Sequence, residues 1–260
     1  MAAQKIVGII PARLASTRFP GKILFPFFDH PMIEHVRRRT ALAKGLDDVY
    51  VATCDDEIAE VISGYGGKVI MTGDHHPNGT TRIAEAVTTI DCSHIILAQG
   101  DEPLLLPEMI EQMIEAIKIN PDGDAWNGTA PLETAEELDR HSFVKCAVGV
   151  DHNILYCFRR SPSIATFDDQ QQYMRKMLGL IAFRRDFLEQ LPLMPPPLSE
   201  QTESIEQMRI IANNHRLTSV PFEYSLPSVN EPDEVNQVHD YFATNKRQRT
   251  VLAEIFPNHS

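Results

Sequence analysis

The sequence predicts an α/β fold with a mainly parallel sheet flanked by helices and a smaller, irregular, β-containing second part. Three observations predict it. Up to about residue 130 the chain alternates short β-rich runs with stretches of helical periodicity, which is how βαβ units read. The first run, Lys5–Ile10, lacks polar alternation, as in a strand covered on both faces. Beyond that point the alternation breaks down into paired strands and short helices.

The elements follow in order. After Lys5–Ile10 a polar loop runs to Lys22. Met32, Ile33, Val36 and Ala41–Ala43 recur at helical spacing, and Gly45 closes that helix. Asp48–Thr53 is a second strand. Asp55 is placed to N-cap a helix carrying Ile58, Val61 and Ile62, which stops at Gly64. Lys68–Met71 is a third strand and Thr80–Ile90 a helix with Ile83, Ala86 and Val87 on one face. His94–Ala98 is a fourth strand. Pro107 opens a helix through Ile119, a favoured first-turn position for proline. In the second part, Val144–Val150 and Ile154–Arg159 read as strands joined by a turn at Asp151–Asn153, and Met177–Phe183 as another. The four prolines of Pro192–Pro197 make a rigid connector. Ser199–Asn213 reads as one helix with Ile205, Met208 and Ile211 inward. Pro232–Ala243 is a further helix, and Lys246–Ser260 is either one more helix or a mobile tail. The whole reads as a single domain over 1–260, with halves at about 1–130 and about 131–245.

Composition narrows the function. The 260 residues are 43% hydrophobic and 23% charged, an ordinary globular balance. The net charge of −12 repels a phosphate backbone and argues against nucleic-acid binding. No apolar run reaches the roughly 18 residues of a membrane span, and no signal peptide is read. Cys54, Cys92, Cys146 and Cys157 form no CxxC pair and read as reduced, buried thiols of a cytoplasmic protein.

Ligands of parallel sheets bind beyond the carboxyl ends of the strands. The loops there are Pro11–Lys22, Thr53–Glu57, Gly73–Arg82 and Gln99–Pro103. The first places Arg13, Arg18 and Lys22 after a buried strand, with Ser16 and Thr17 between them. Backbone amides and fixed cations so arranged suit a phosphate chain. It is not a P-loop, because Ser16 and Ile23 stand where that motif needs Gly and Ser or Thr, and no GxGxxG follows the first strand. Asp101, beyond Gly100 at the tip of a strand, is placed to hold Mg²⁺ against phosphate oxygens. Gly79-Thr80 with Arg82 opens a helix and suits an anion. The adjacent His75 and His76 read as exposed loop residues, not metal ligands.

The run Ile9-Ile10-Pro11-Ala12-Arg13-Leu14-Ala15-Ser16-Thr17-Arg18-Phe19-Pro20-Gly21-Lys22 resembles the N-terminal signature of the CMP-Kdo synthetases, the 3-deoxy-manno-octulosonate cytidylyltransferases. The resemblance continues through Gly79, Thr80 and Arg82, Gln99-Gly100-Asp101-Glu102-Pro103, Val144-Lys145, Arg160-Ser161-Pro162 and Glu203–Arg209, to about Val238. It implies a nucleotidyltransferase-type α/β fold, usually homodimeric through the second part, using CTP and Mg²⁺. The reaction it implies joins CMP to the anomeric hydroxyl of a 3-deoxy sugar acid and releases pyrophosphate. Arg13, Arg18 and Lys22, with Ser16, would serve the CTP phosphates, and Arg82 and Gln99 would lie along the nucleotide. Asp101 would hold the metal together with the residue at 230. Arg160 would take the sugar carboxylate, and Glu206 and Gln207 the sugar hydroxyls.

Three positions depart from the family pattern. Met177 stands for a His and Phe183 for a Tyr in the motif His-Leu-Gly-Ile-Tyr-Xaa-Tyr, and Asn230 stands for a metal-binding Asp. These departures fall on the sugar and second-metal half. They leave open CMP transfer to another 2-keto acid, or a non-catalytic nucleotide-binding regulator.

Overall fold

The structure is a computed structural model that describes residues 4–16 and 18–257. Thr17 of the basic loop and the last three residues of the tail lie outside the described residues. The chain forms two compact units, Met1–Ile114 with Leu226–Ser260, and Glu115–Ser225. The C-terminal segment thus returns to the first unit.

The first unit begins with β1 (Ile6–Ala12), every residue of which is buried. A small hairpin of β2 (Pro26–Phe27) and β3 (His30–Pro31) leads into α1 (Met32–Leu42). Then come β4 (Asp48–Thr53), α2 (Asp56–Gly64), β5 (Lys68–Met71), α3 (Gly79–Val87), β6 (His94–Leu97) and α4 (Pro107–Ile119). β1 pairs in parallel with β4 on one side and β6 on the other, and β4 pairs in parallel with β5. The parallel sheet read from the sequence is therefore present, in the order β6-β1-β4-β5. That order carries a consequence for binding. The chain builds outward from β1 through β4 and β5, then returns to the other side of β1 with β6. The topological switch point lies between β1 and β6, and ligands of open α/β sheets bind outside the strand ends there. The loops that leave those two ends are Ala12–Lys22 and Ala98–Pro103.

The second unit carries β7 (Ala125–Ala130), α5 (Glu136–Asp139), β8 (Lys145–Val148), β9 (Ile154–Phe158), α6 (Phe167–Gln170), β10 (Met174–Arg184), α7 (Arg185–Gln190), α8 (Leu198–Glu203), α9 (Met208–Ala212) and β11 (Leu217–Pro221). β7 pairs in parallel with β11 and antiparallel with β10. β8 and β9 form the expected hairpin, with β8 also pairing β10. Trp126, Phe183, Phe187 and Leu217 form the buried centre of this unit. α10 (Glu234–Thr244) and α11 (Lys246–Ile255) complete the first unit.

Two expectations are corrected. The single helix over Ser199–Asn213 is divided, because Ser204 adopts a left-handed backbone (φ 53°) that ends α8. As a result Ile205, Met208 and Ile210 are buried while Ile211 is only half-buried. Asp55 precedes α2 but its side chain makes no cap bond. Its carboxylate is engaged elsewhere, as described next.

Candidate active site

The basic loop is held open by its own backbone and by one carboxylate. Gly21 N–H donates to Leu14 O (3.1 Å) and Lys22 N–H to Phe19 O (3.2 Å). Ser16 Oγ accepts from Phe19 N–H (3.4 Å). Asp55 Oδ2 accepts from Leu14 N–H (2.9 Å). Asp55 therefore anchors the loop after β1 from the end of the neighbouring strand β4, and this is why it does not cap its own helix.

The three cations sit differently. Arg13 is exposed and its Nη1 lies 3.4 Å from His76 O. Arg18 is exposed, with Glu231 at 3.9 Å. Lys22 is the most enclosed. Its Nζ donates to Asp101 Oδ2 at 2.6 Å and to Val229 O at 3.0 Å. The Lys22 and Asp101 side chains are only 13% and 24% exposed, so this ion pair is sheltered from bulk screening.

Gly100 lets the tip of β6 come this close to the end of β1. A Cβ on Gly100 would lie 2.6 Å from Ile23 Cδ1 and 3.2 Å from Pro11 O, so a side chain there would push Ile23 aside and crowd the end of β1. Asp101 O then accepts from Val229 N–H (2.9 Å), which ties the 228–230 segment to the same tip. Asn230 is thereby beside Asp101 in the chain framework. Its Nδ2 donates to Ser228 Oγ (2.9 Å), while Asn230 N–H and Glu231 N–H both donate to Glu234 Oε2 (2.6 and 3.0 Å). Glu234, in the first turn of α10, thus ties down the 230–231 backbone that leads into the helix.

Gln99 is half-buried, and its Oε1 lies 3.9 Å from where a Cβ on Gly79 would be, at the start of α3. Asn78 caps that helix by accepting from Thr81 N–H (2.9 Å). Arg82, expected along a nucleotide, is turned inward. It is 3% exposed, and its Nη1 donates to Thr72 Oγ1 (2.6 Å) and Gly73 O (3.2 Å). A guanidinium turned inward in this way braces the loop after β5.

In the second unit Arg160 is exposed. Its neighbour Arg159 is structural, donating to Glu203 O (2.6 Å), Ser204 O (3.1 Å) and His141 O (2.8 Å). Glu206 and Gln207 are half-buried, and Gln207 Nε2 lies 3.4 Å from Asn127 Oδ1. Asn127 is fully buried on β7 and donates to Leu178 O (2.9 Å) and Gly128 O (2.8 Å). The β10–β7 register shifts between Met177 and Ile181, a bulge that frees Leu178 O for this contact. The two side-chain departures are not equivalent. Phe183 is 1% exposed and belongs to the core, so it lines no open sugar pocket. Met177 is half-buried with its Sδ 3.3 Å from Cys157 Sγ. Burial pushes the Cys146 thiol up to about 12 and the Cys157 thiol well above its ordinary value, so neither is a nucleophile at neutral pH. All four cysteines are free, as the sequence suggested, though Cys54 is only half-buried.

The spacing in the sequence did not reveal Asp55 as a loop anchor, Val229 O as a Lys22 acceptor, or Asn127 as a partner of Gln207. None of the three left a signal in the sequence, and Asn127 lies in Ala125–Ala130, which does not read as a strand.

Around Lys22 and Asp101 the donor set is a carboxylate, an amide and backbone carbonyls beside flanking cations. Hard oxygen donors of this kind suit Mg²⁺ bound jointly with phosphate oxygens and water, and do not suit a soft metal. Sheet topology, switch-point loops and this donor set define a nucleotide-using transferase of the α/β class. The profile of the cytidylyltransferase family matches residues 7–217. The chain is 37% identical over 245 residues to the 3-deoxy-manno-octulosonate cytidylyltransferase of Geobacter sulfurreducens, covering 90% of this chain and 97% of that one. It is also 37% identical over 233 residues to the 8-amino-3,8-dideoxy-manno-octulosonate cytidylyltransferase of Shewanella piezotolerans, covering 87% and 94%. A solved CMP:2-keto-3-deoxy-manno-octonic acid synthetase complexed with CTP superposes with a TM-score of 0.87 at 31% identity, covering 92% of this chain and 99% of that one. The chain belongs to the cytidylyltransferase family.

Proposed function

We propose that the protein transfers CMP from CTP to the anomeric hydroxyl of a 3-deoxy-octulosonic acid, either 3-deoxy-manno-octulosonate or its 8-amino-3,8-dideoxy relative. The hydroxyl oxygen bonds to the α-phosphorus, the bond from that phosphorus to the bridging oxygen breaks, and pyrophosphate leaves. The observation that carries this reading is the enclosed Lys22–Asp101 pair at the β1/β6 switch point, bordered by Arg13 and Arg18.

Transfer of this kind needs in-line placement and neutralisation of developing charge, with no covalent nucleophile. Arg13, Arg18 and Lys22 hold the triphosphate, and the loop amides around Ser16 follow the chain of phosphates. Asp101 and the Asn230 carbonyl would hold Mg²⁺, which would supply charge neutralisation at the phosphates. Lys22 offers its ammonium to the negative charge of the phosphates beside them. Gln99 lies along the nucleotide, and Arg82 acts through the loop it braces. In the second unit, Arg160 presents a planar two-pronged donor to the sugar carboxylate, and Glu206 and Gln207 address its hydroxyls. Gln207 is pre-oriented by Asn127. We further place the protein in the cytoplasm as a homodimer serving lipopolysaccharide biosynthesis. No helix among the described residues is long and apolar enough to cross a membrane, which is compatible with that placement.

The relatives named for the two acids are equally identical to this chain, so the choice between the acids rests on the sugar side. The experiment is pyrophosphate release with Mg²⁺, CTP or ATP, and each acid in turn. Release with CTP and at least one acid, and little with ATP, is expected. No release with either acid, or equal rates with ATP, rejects the reading.

A further inference from the structure

Outside this machinery, the loop between β5 and α3 brings together two histidines and a carboxylate that the transfer reaction does not use. The ligand atoms of His75, His76 and Glu85 all lie within 4.8 Å of one another. His76, read from the sequence as an exposed loop residue, is 7% exposed, and its Nε2 lies 2.5 Å from Glu85 Oε2. The two imidazoles are tilted against each other with centroids 4.3 Å apart. Gly73 makes the cluster possible. A Cβ there would lie 2.4 Å from His75 Nδ1 and 3.5 Å from Glu85 Oε2, so a residue with any side chain would expel the His75 ring. The same empty space is bordered by a ring nitrogen and a carboxylate oxygen.

We propose that His75, His76 and Glu85 form a three-ligand site for a divalent transition-metal ion of the zinc class, distinct from the magnesium-binding oxygens at Asp101. Two imidazole nitrogens and one carboxylate oxygen are the donors that favour zinc, nickel or copper over magnesium, and three protein ligands leave a fourth position for water. The carboxylate is already oriented. Glu85 Oε1 accepts from Gly73 N–H (3.0 Å), which leaves Oε2 for the metal. A metal in place of the proton now shared between His76 and Glu85 would open that pair from 2.5 Å to about 3.3 Å, the separation of two ligands at about 2 Å from a tetrahedral ion, while the exposed His75 ring closes toward them.

The site has a route to the nucleotide loops. His76 O contacts Arg13, and Gly73 O accepts from Arg82. Occupancy therefore fixes the two carbonyls against which these arginines rest.

The test is Zn²⁺ titration of the intact protein in excess Mg²⁺, which saturates oxygen-only sites, read by calorimetry or by competition with a chromophoric chelator. One equivalent per chain is expected, with affinity at least tenfold weaker in His75→Ala and in Glu85→Gln. His75 is exposed, so its replacement leaves the fold intact, and an unchanged melting temperature verifies this. Hydrogen exchange at the 73–79 amides slows on adding Zn²⁺ to the wild-type protein and not to His75→Ala. Absence of saturable binding, or equal binding by wild type and both variants (an adventitious ion only), overturns the proposal.

Discussion

Replacing Asp101 by Asn separates a catalytic carboxylate from a structural one. In the folded protein Asp101 accepts from Lys22 Nζ at 2.6 Å, and its backbone oxygen accepts from Val229 N–H at 2.9 Å. The amide of Asn keeps the shape and can still accept from Lys22 through its oxygen. The backbone bond is untouched. What is lost is one charge-assisted hydrogen bond in a partly exposed site, worth about 1 kcal/mol once a neutral bond replaces it. For a chain of this size that lowers Tm by roughly 2–4 °C.

The effect on turnover is of a different size. With Asp101 as the proposed Mg²⁺ ligand, the variant removes the charged protein ligand, and loss of one electrostatic contact to a developing charge costs about 2.7–4 kcal/mol. That is a fall in kcat/KM on the order of a hundred- to a thousandfold. The assay is steady-state pyrophosphate release as a function of CTP and Mg²⁺, beside thermal denaturation of the same preparations. A second signature follows. Raising Mg²⁺ should recover part of the lost rate in Asp101→Asn, and should recover none in Lys22→Met. Turnover within about tenfold of wild type, or a Tm loss that accounts for the whole effect, would refute the metal-ligand role and leave Asp101 as a turn residue.

Other outcomes follow from the same contacts. Asp55→Ala releases Leu14 N–H and should raise the Kd for CTP by about tenfold, roughly the value of one charged hydrogen bond. Equal CTP affinity by titration would show that the loop holds its shape unaided. Lys145 is fully buried and donates to the carbonyls of Arg140, Phe143 and Arg159, so Lys145→Met strands three acceptors and should cost about 3 kcal/mol or more. A Tm within about 2 °C of wild type, well short of that loss, would contradict this. Burial also pulls the Lys145 ammonium from 10.5 down to about 8, so between those values the unfolded chain binds more protons than the folded one. The contribution of this group to stability therefore rises with pH across that window, and the Tm difference between wild type and Lys145→Met should widen there; a flat difference would reject it. Met177→His should raise kcat/KM for 3-deoxy-manno-octulosonate relative to its 8-amino relative, and an unchanged ratio would remove residue 177 from substrate choice.

The first unit was largely legible because its signals are local. Continuous apolar runs such as Ile6–Ile10 have few alternatives to a buried parallel strand, Pro107 marks a helix start through its fixed φ, and the left-handed Gly66 (φ 76°) follows the end of α2. The basic loop and Asp101 were legible for a similar reason, since their positions just beyond strand ends follow from the strands themselves. β7 and β11 were missed. Ala125–Ala130 contains Asn127 and Gly128, which lower strand propensity, yet all six residues are buried, with paired strands on both sides. Tertiary pairing overrode a weak local preference. The divided helix at Ser204 was hidden for the opposite reason. Its apolar spacing is helical on either side of the break, and Arg159, 45 residues earlier, holds Ser204 O.

The residues that sequence spacing missed share one property: each acts on a functional group from a distant part of the chain. Asp55 reaches Leu14 across 41 positions, Val229 O reaches Lys22 across 207, and Asn127 reaches Gln207 across 80. A motif lists the groups that touch a substrate, and spacing alone carries no record of what aims them. The same holds for Glu85, which sits on the face of α3 as an unremarkable helical glutamate. Only when the chain folds does its carboxylate meet Gly73 N–H and His76, twelve and nine positions back. The loop it closes supports Arg13 and Arg82 through backbone carbonyls. Backbone acceptors impose no residue type, so a substitution at positions 73 to 76 can move Arg13 or Arg82 without altering any residue that a motif would name.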